Sequence, residues 1–160
     1  MARYLIISFL FLTISCKSTD QLIKINKDHQ ENITFDAVTK TLKFNEYEQS
    51  QLNFIGEQLI YEWFNNKIKT DGLEGSLEVI VTKLETETQK KDDYFKVIVN
   101  LSLNFNQLNN NLINKKSFNI STSEFSEISG KFSILDQENL SINTFMTALK
   151  KITIELNNLN

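Results

Sequence analysis

Residues 94–106 alternate with a strict period of two. Phe95, Val97, Val99, Leu101, Leu103 and Phe105 fall on one side, and Lys96, Asn100, Ser102, Asn104 and Asn106 on the other. A helix would scatter these apolar side chains around its circumference, whereas a strand sets all of them on one face. One dry and one wet face mark an antiparallel sheet covered on a single side. Leu77, Val79 and Val81 alternate in the same way, and a third strand runs from Leu112 through Phe118 and Ile120 to about Phe125. The charged residues 85–93 read as the hairpin joining the first two strands. Asn109, Asn110 and Asn111 read as the next turn, able to supply the positive φ it needs. Gly130 ends the pattern.

Two helical patterns flank these strands. Leu52, Ile55, Leu59 and Trp63, with Ile60, Phe64 and Ile68 beside them, recur at three and four residues and make one wide apolar stripe. Asn45 with Glu48 three places on has the spacing of a capping box, which predicts a helix start there, and Thr70, Asp71 and Gly72 predict its end. Gly56 lies on the stripe, where a missing side chain allows close approach to the sheet. A closing helix carries Ile142, Phe145, Met146, Leu149, Ile152, Leu156 and Leu159, with its start expected between Asp136 and Ser141. Before the first helix, Ile33, Phe35 and Ala37 share one phase and Leu42 and Phe44 the other, so a strand with an irregularity at Val38 is expected. The fold class is therefore α+β. Two layers are expected, a four-stranded, mostly antiparallel sheet with two amphipathic helices on one face, in the order β-α-β-β-β-α. Pattern alone leaves the pairing sense of the first strand open.

The amino-terminal residues follow another logic. Arg3 precedes residues 4–14, which are apolar except for Ser8 and Thr13, and the chain turns polar directly after Ser15 and Cys16. Such a run makes a helix of about 16 Å at 1.5 Å per residue, too short for a hydrocarbon core about 30 Å thick, so an export signal is expected rather than a permanent span. Cys16 is the only cysteine of the chain. The arrangement resembles the lipobox of bacterial lipoproteins, in which a short apolar run ends in a small residue directly before cysteine. The resemblance implies diacylglycerol on the Cys16 thiol, cleavage after Ser15 and acylation of the new amino group. A thiolate is the side-chain nucleophile that thioether formation requires, and two or three acyl chains anchor permanently at about 0.8 kcal/mol per buried methylene. Lys17 after the cysteine favours the outer membrane, by resemblance to the sorting pattern of enteric bacteria. The expected organisation is a signal peptide over residues 1–15, the lipidated cysteine and a flexible tether over 16–32, and one α+β domain over 33–160.

Two wider likenesses follow from particular residues. The run from Leu59 through Trp63 and Phe64 to Lys67, then Gly72 and Gly75, the strand from Ser76 to Val81, Tyr94, and a closing helix with Met146, Thr147, Leu149 and Leu156 resemble uncharacterised alphaproteobacterial envelope lipoproteins. The order strand, helix, strands, helix behind a lipidated amino terminus is similar to the lipopolysaccharide-assembly lipoprotein family. That likeness implies a partner role beside an outer-membrane β-barrel, with basic side chains such as Lys90 and Lys91 or Lys115 and Lys116 available for phosphate contact.

The chain has 160 residues with 17 basic and 20 acidic side chains, a net charge of −3. That is the wrong sign for a nucleic-acid protein, so no nucleic-acid partner is expected. Catalytic equipment is sparse. His29 is the single histidine and sits in the tether without a fixed partner, and there is no Walker loop, G-x-S-x-G or H-E-x-x-H. The remaining candidates are carboxylates, Glu85 with Glu87 and Asp92 with Asp93, as a cation site or an acid and base pair; a solvated hairpin tip explains them more simply. Trp63 and Phe64 on an amphipathic stripe read as core rather than as a ligand platform. No enzyme, cofactor, catalytic residue or metal site is therefore expected. The expected function is that of a lipid-anchored envelope protein at the periplasmic face of the outer membrane. It would act as a binding accessory in outer-membrane or envelope assembly, with a membrane contact through Cys16 and a β-barrel or other envelope protein as partner. The alternatives are a lipid or small-ligand carrier using a cleft between helices and sheet, or a lipopolysaccharide-assembly lipoprotein. Ile80 and Ile98 on the wet face read as a contact patch or as two isolated side chains.

Overall fold

A computed structural model describes residues 32–159. Their elements are, in order, β1 (Ile33–Phe35), β2 (Thr39–Phe44), α1 (Gln51–Lys67), β3 (Ile68–Thr70), β4 (Ser76–Lys91), β5 (Tyr94–Leu108), β6 (Asn114–Ser129) and α2 (Ile134–Leu159). The main sheet has the strand order β2-β4-β5-β6. β4, β5 and β6 form an antiparallel meander, and β2 joins parallel to β4. The parallel sense follows from the connection: α1 carries the chain back to the end from which β2 started, as a crossover must. β1 and β3 form a separate two-stranded parallel sheet. The α+β class and the order of the main elements are those read from sequence. The sheet is mixed, and two short strands are added.

The irregularity expected near Val38 is a full break. Ala37 N–H turns back to Phe35 O at 2.9 Å, while Val38 N–H donates to Gly75 O and Gly72 N–H to Ala37 O at 3.1 and 3.0 Å. The break therefore docks on the link between α1 and β4, and the dry phase passes from Ile33, Phe35 and Ala37 to Leu42 and Phe44.

Both helix starts differ from expectation. Asn45 does not cap α1, because its N–H donates to Val81 O at 3.0 Å and keeps the chain extended. Ser50 is the cap, with φ −141 and its hydroxyl accepting from Asn53 N–H at 3.1 Å. At the other end Lys67 is the last helical residue. Ile68, read as part of the helical stripe, is buried in β3, and Thr70 to Gly72 close that strand rather than the helix. α2 begins at Ile134, earlier than expected, on a reciprocal cap. Ser133 Oγ accepts from Asp136 N–H at 3.2 Å and Asp136 Oδ2 from Ser133 N–H at 2.7 Å. The bond from Ser133 N–H, and second one that the Ser133 hydroxyl donates to the same oxygen at 2.7 Å, hold the Asp136 carboxyl below its ordinary range.

Residues 85–91 belong to strand β4, and only Asp92 and Asp93 form the expected hairpin turn. β4 runs to Lys91 and turns at Asp92 and Asp93, because the first half of β5 needs a ladder partner. An irregularity between Val81 and Lys83 shifts the phase, so Leu84 rejoins the dry face while Lys83 and Glu85 face water. In the turn between β5 and β6 the positive φ falls on exposed Leu112, at 60°, rather than on an asparagine. Asn109 instead accepts from the N–H groups of Asn111 and Ile113 through its Oδ1, both at 2.9 Å.

The helices pack on the dry face. A Cβ at Gly56 would lie 2.5 Å from Cε1 and Cζ of Phe145 and 3.3 Å from Leu84 Cδ1. The close approach predicted at Gly56 is thus made first to α2 and only second to the sheet. Trp63 and Phe64 are core, as read from sequence, and the indole N–H of Trp63 donates to Thr153 Oγ1 of α2 at 2.9 Å.

Candidate functional site

β4, β5 and β6 together present a polar face on the side of the sheet away from the helices. Its side chains bond to one another across the strands. Ser102 Oγ donates to Ser121 Oγ at 2.8 Å, Ser123 Oγ to Asn100 Oδ1 at 2.7 Å, and Ser117 Oγ to Asn106 Oδ1 at 2.7 Å. Asn100 Nδ2 continues the lattice to Glu85 Oε2 at 3.1 Å, and Lys83 pairs with the same carboxylate at 2.8 Å. The bond from Lys83, then that from Asn100, holds the Glu85 carboxyl below its ordinary range. An ionised, ion-paired carboxylate on an open face is a poor proton donor. The face is a sheet of hydroxyl and amide groups bonded to one another across the strands.

The sequence-predicted candidates do not converge. Glu85 and Glu87 stand in the middle of β4, while Asp92 and Asp93 form the exposed turn beyond its end. Lys90 and Lys91 close β4 at that turn. Lys115 and Lys116 open β6 at the opposite end of the sheet, so the four lysines do not form one patch. Lys115 pairs with Glu74 at 3.3 Å, and Lys116 donates to Leu159 O at 3.1 Å. Ile80 lies between Lys43 and Asn104, well along the sheet from Ile98, which is opposite Phe125. Phe125 is 62% exposed, with the Lys96 ammonium 4.5 Å from its ring centroid. Among the described residues no group of three or more His, Cys, Asp or Glu side chains is placed to hold a metal ion. Cys16, His29, the signal peptide and the tether lie outside the described residues.

A cleft of about 270 Å³ opens on the covered side near the turn between β4 and β5. Leu52 and Ile55 of α1, Phe95 of β5 and Ile134 of α2 form its apolar wall; Thr88, Lys90, Gln137 and Glu138 are among its polar groups. It exists because β4 and β5 extend past the point where the helices meet over Gly56. Placing the start of α2 beyond Asp136 hides this cleft from a sequence reading, since Ile134 then falls in a loop.

Three polar devices also escaped the pattern. Lys40 shares the phase of Leu42 and Phe44, and donates to the carbonyls of Phe64, Asn65 and Ile68, where the α1 dipole is negative. Burial, and second the charge of Lys69, push its pKa below the ordinary lysine value. Glu124, nearly buried on the dry phase of β6, pairs with Lys151 of α2 at 2.5 Å. The Tyr47 hydroxyl donates to Glu57, and that bond, followed by burial, pushes its pKa up to about 12. A charged residue in phase with apolar neighbours was the available signal for the first two. All three tie neighbouring segments of the fold together.

No protein-family model and no curated protein matches the sequence. Solved structures similar to this one include a minor lipoprotein from Acinetobacter baumannii, at 11% identity and TM-score 0.43 over 74% of this chain and 89% of that one. An uncharacterized lipoprotein B from Nitrosomonas europaea matches at 8% identity and TM-score 0.42, covering 77% of this chain and 84% of that one. The rare lipoprotein B from Shewanella oneidensis matches at 14% identity and TM-score 0.32, over 76% and 98% respectively. All three are bacterial lipoproteins.

Proposed function

We propose that this chain is a bacterial envelope lipoprotein, anchored by lipid on Cys16 at the periplasmic face of the outer membrane. There it acts by binding, as a non-catalytic accessory in outer-membrane or envelope assembly. The observation that carries the reading is the sole cysteine standing directly after small Ser15 at the end of a short apolar run. The character of the domain supports binding over turnover: its open face is a lattice of paired hydroxyl and amide groups, and its carboxylates are dispersed or ion-paired. Replacing Cys16 by alanine is expected to abolish acyl labelling and release the protein from membranes; unchanged labelling and fractionation would overturn the anchor. For the accessory role, a β-barrel or other envelope protein is expected to co-purify from detergent extracts of crosslinked cells. Its absence there would count against that role. Lipopolysaccharide assembly is the narrower form of this reading, with Lys90 and Lys91 or Lys115 and Lys116 available for phosphate contact.

A second reading, a lipid or small-ligand carrier, is favoured by the cleft between Leu52, Ile55, Phe95 and Ile134. Its volume lies just below the range of about 300–1,000 Å³ usual for small-molecule sites. Ligand released from the purified protein and lost in Ile55→Trp would support it, and an empty wild-type protein would exclude it.

A further inference from the structure

β6 is the last strand of the main sheet, and among the described residues its ladder pairs with β5 alone. Alternate N–H and C=O groups along its outer margin point away from the sheet with no strand to meet them. Natural sheets keep such margins short or cover them. The other margin is broken in two, since β2 has 6 residues and covers β4 only over Ser76–Val81, leaving the rest of β4 open, whereas β6 presents 16 residues in one unbroken edge. Beside this long margin lies Phe125, a large apolar side chain more than half exposed.

The charges of β6 are segregated along its length. Lys115 and Lys116 stand at its start, and Glu124 and Glu127 in its second half. Turned antiparallel against a copy of itself, the basic start of each strand meets the acidic half of the other, twice over. Glu124 is already engaged by Lys151, so Glu127 is the available acid; on the basic side Lys115 holds an exposed 3.3 Å pair with Glu74 that a second carboxylate can share, and Lys116, which donates to Leu159 O, adds its charge to the same segment. Its carboxylate accepts one bond, from Tyr94 at 3.1 Å, and retains further acceptor sites. Side-chain alternation restricts the register further. A two-fold axis normal to the sheet keeps both wet faces on one side, so opposed residues must share a face and the axis must fall on a residue. With the axis at Ser121, Asn119 opposes Ser123, Ser117 opposes Phe125, and the lysine segment opposes Glu127. We infer that β6 pairs antiparallel with β6 of a second copy of this chain about a two-fold axis at Ser121. The two sheets then become one, with a doubled hydroxyl and amide face and Phe125 covered at the seam.

The test uses the full-length chain carrying Cys16→Ala, in detergent solution, with light scattering for mass and oxidation for contact. A dimer mass is expected. Ser121→Cys should form an intermolecular disulfide readily, because ladder partners lie within the Cα range a disulfide spans. Ser117→Cys should not, because its two copies would sit about 27 Å apart along the strands. Lys115→Glu with Lys116→Glu is expected to weaken the dimer about tenfold, and adding Glu127→Lys to restore it, with circular dichroism showing each variant folded. A monomer at every concentration, a disulfide that forms as fast at residue 117 as at 121, or charge reversal without effect would each overturn the pairing. If Ser121→Cys fails to fold, the charge-reversal series decides alone.

Discussion

β5 separates two environments along one strand. Val97, Val99, Leu101, Leu103 and Phe105 are fully enclosed, while Lys96, Ile98, Asn100, Ser102, Asn104 and Asn106 between them remain partly open to solvent. The dry side is held by shape: Phe105 stacks between Phe35 and Phe118 at centroid distances of 6.1 and 5.2 Å, and Phe145 fills the space a Cβ at Gly56 would take. The wet side is held by short polar bonds between neighbours that water could replace at small net cost. Packing and polar bonding thus fall on alternate residues of the same strand. Substitutions on the polar face are therefore expected to cost little of the folding free energy.

The sharpest way to break this contrast is to truncate one residue on each side. Phe105→Ala is expected to cost about 3–5 kcal/mol in denaturant unfolding, whereas Asn104→Ala next to it should stay within about 0.5 kcal/mol. Equal effects would refute the division. Gly56→Ala comes next. Its Cβ would meet the fully buried ring of Phe145, and overpacking of this kind costs about 1–3 kcal/mol; Phe145→Leu is expected to recover part of the loss in the double variant. A smaller effect concerns alkaline pH. The bond from Tyr47 to Glu57, with burial second, raises the tyrosine from its ordinary value of 10.0 to about 12. The folded protein therefore keeps a proton that the unfolded chain releases, so this contribution is complete below pH 10 and declines as pH rises toward 12. Unfolding curves of wild type and Tyr47→Phe should differ below pH 10 and converge above it. The smallest effect is expected from Ser102→Ala with Ser121→Ala, which removes both partners of a lattice bond and should change stability by less than about 0.5 kcal/mol. A large loss would mean that the wet face carries part of the fold.

The same contrast explains how much of the molecule was legible. Strict alternation in β5 and the stripe containing Leu59 and Trp63 specify strand, helix and buried face, because burial is what writes those patterns. Boundaries were less legible, since they depend on which amides find acceptors. Asn45 has the right spacing for a cap, yet its N–H is taken by Val81, and Ser50 does the capping. Residues 85–91 look like a loop by charge and are a strand because β5 needs a partner over its first half. Of the candidate site, the polar face was legible as the complement of the dry one. The cleft was not, because it depends on where the two helices end relative to the hairpin, a tertiary distance that no local spacing encodes.

The short pairing of β1 with β3 has a mechanical consequence. The chain first meets the described fold at Ile33, and three residues, Ile33–Phe35, join it to β3 in parallel register. Tension arriving through the preceding residues would load this pair before any strand of the main sheet. Phe35 and Ala37, whose carbonyls accept from the N–H groups of Asp71 and Gly72 at 3.2 and 3.0 Å, would resist next. A tug from that side would therefore draw Ile33 and Phe35 out of the core, and with Phe35 one side of the Phe105 stack, before it reached the ladder of the meander.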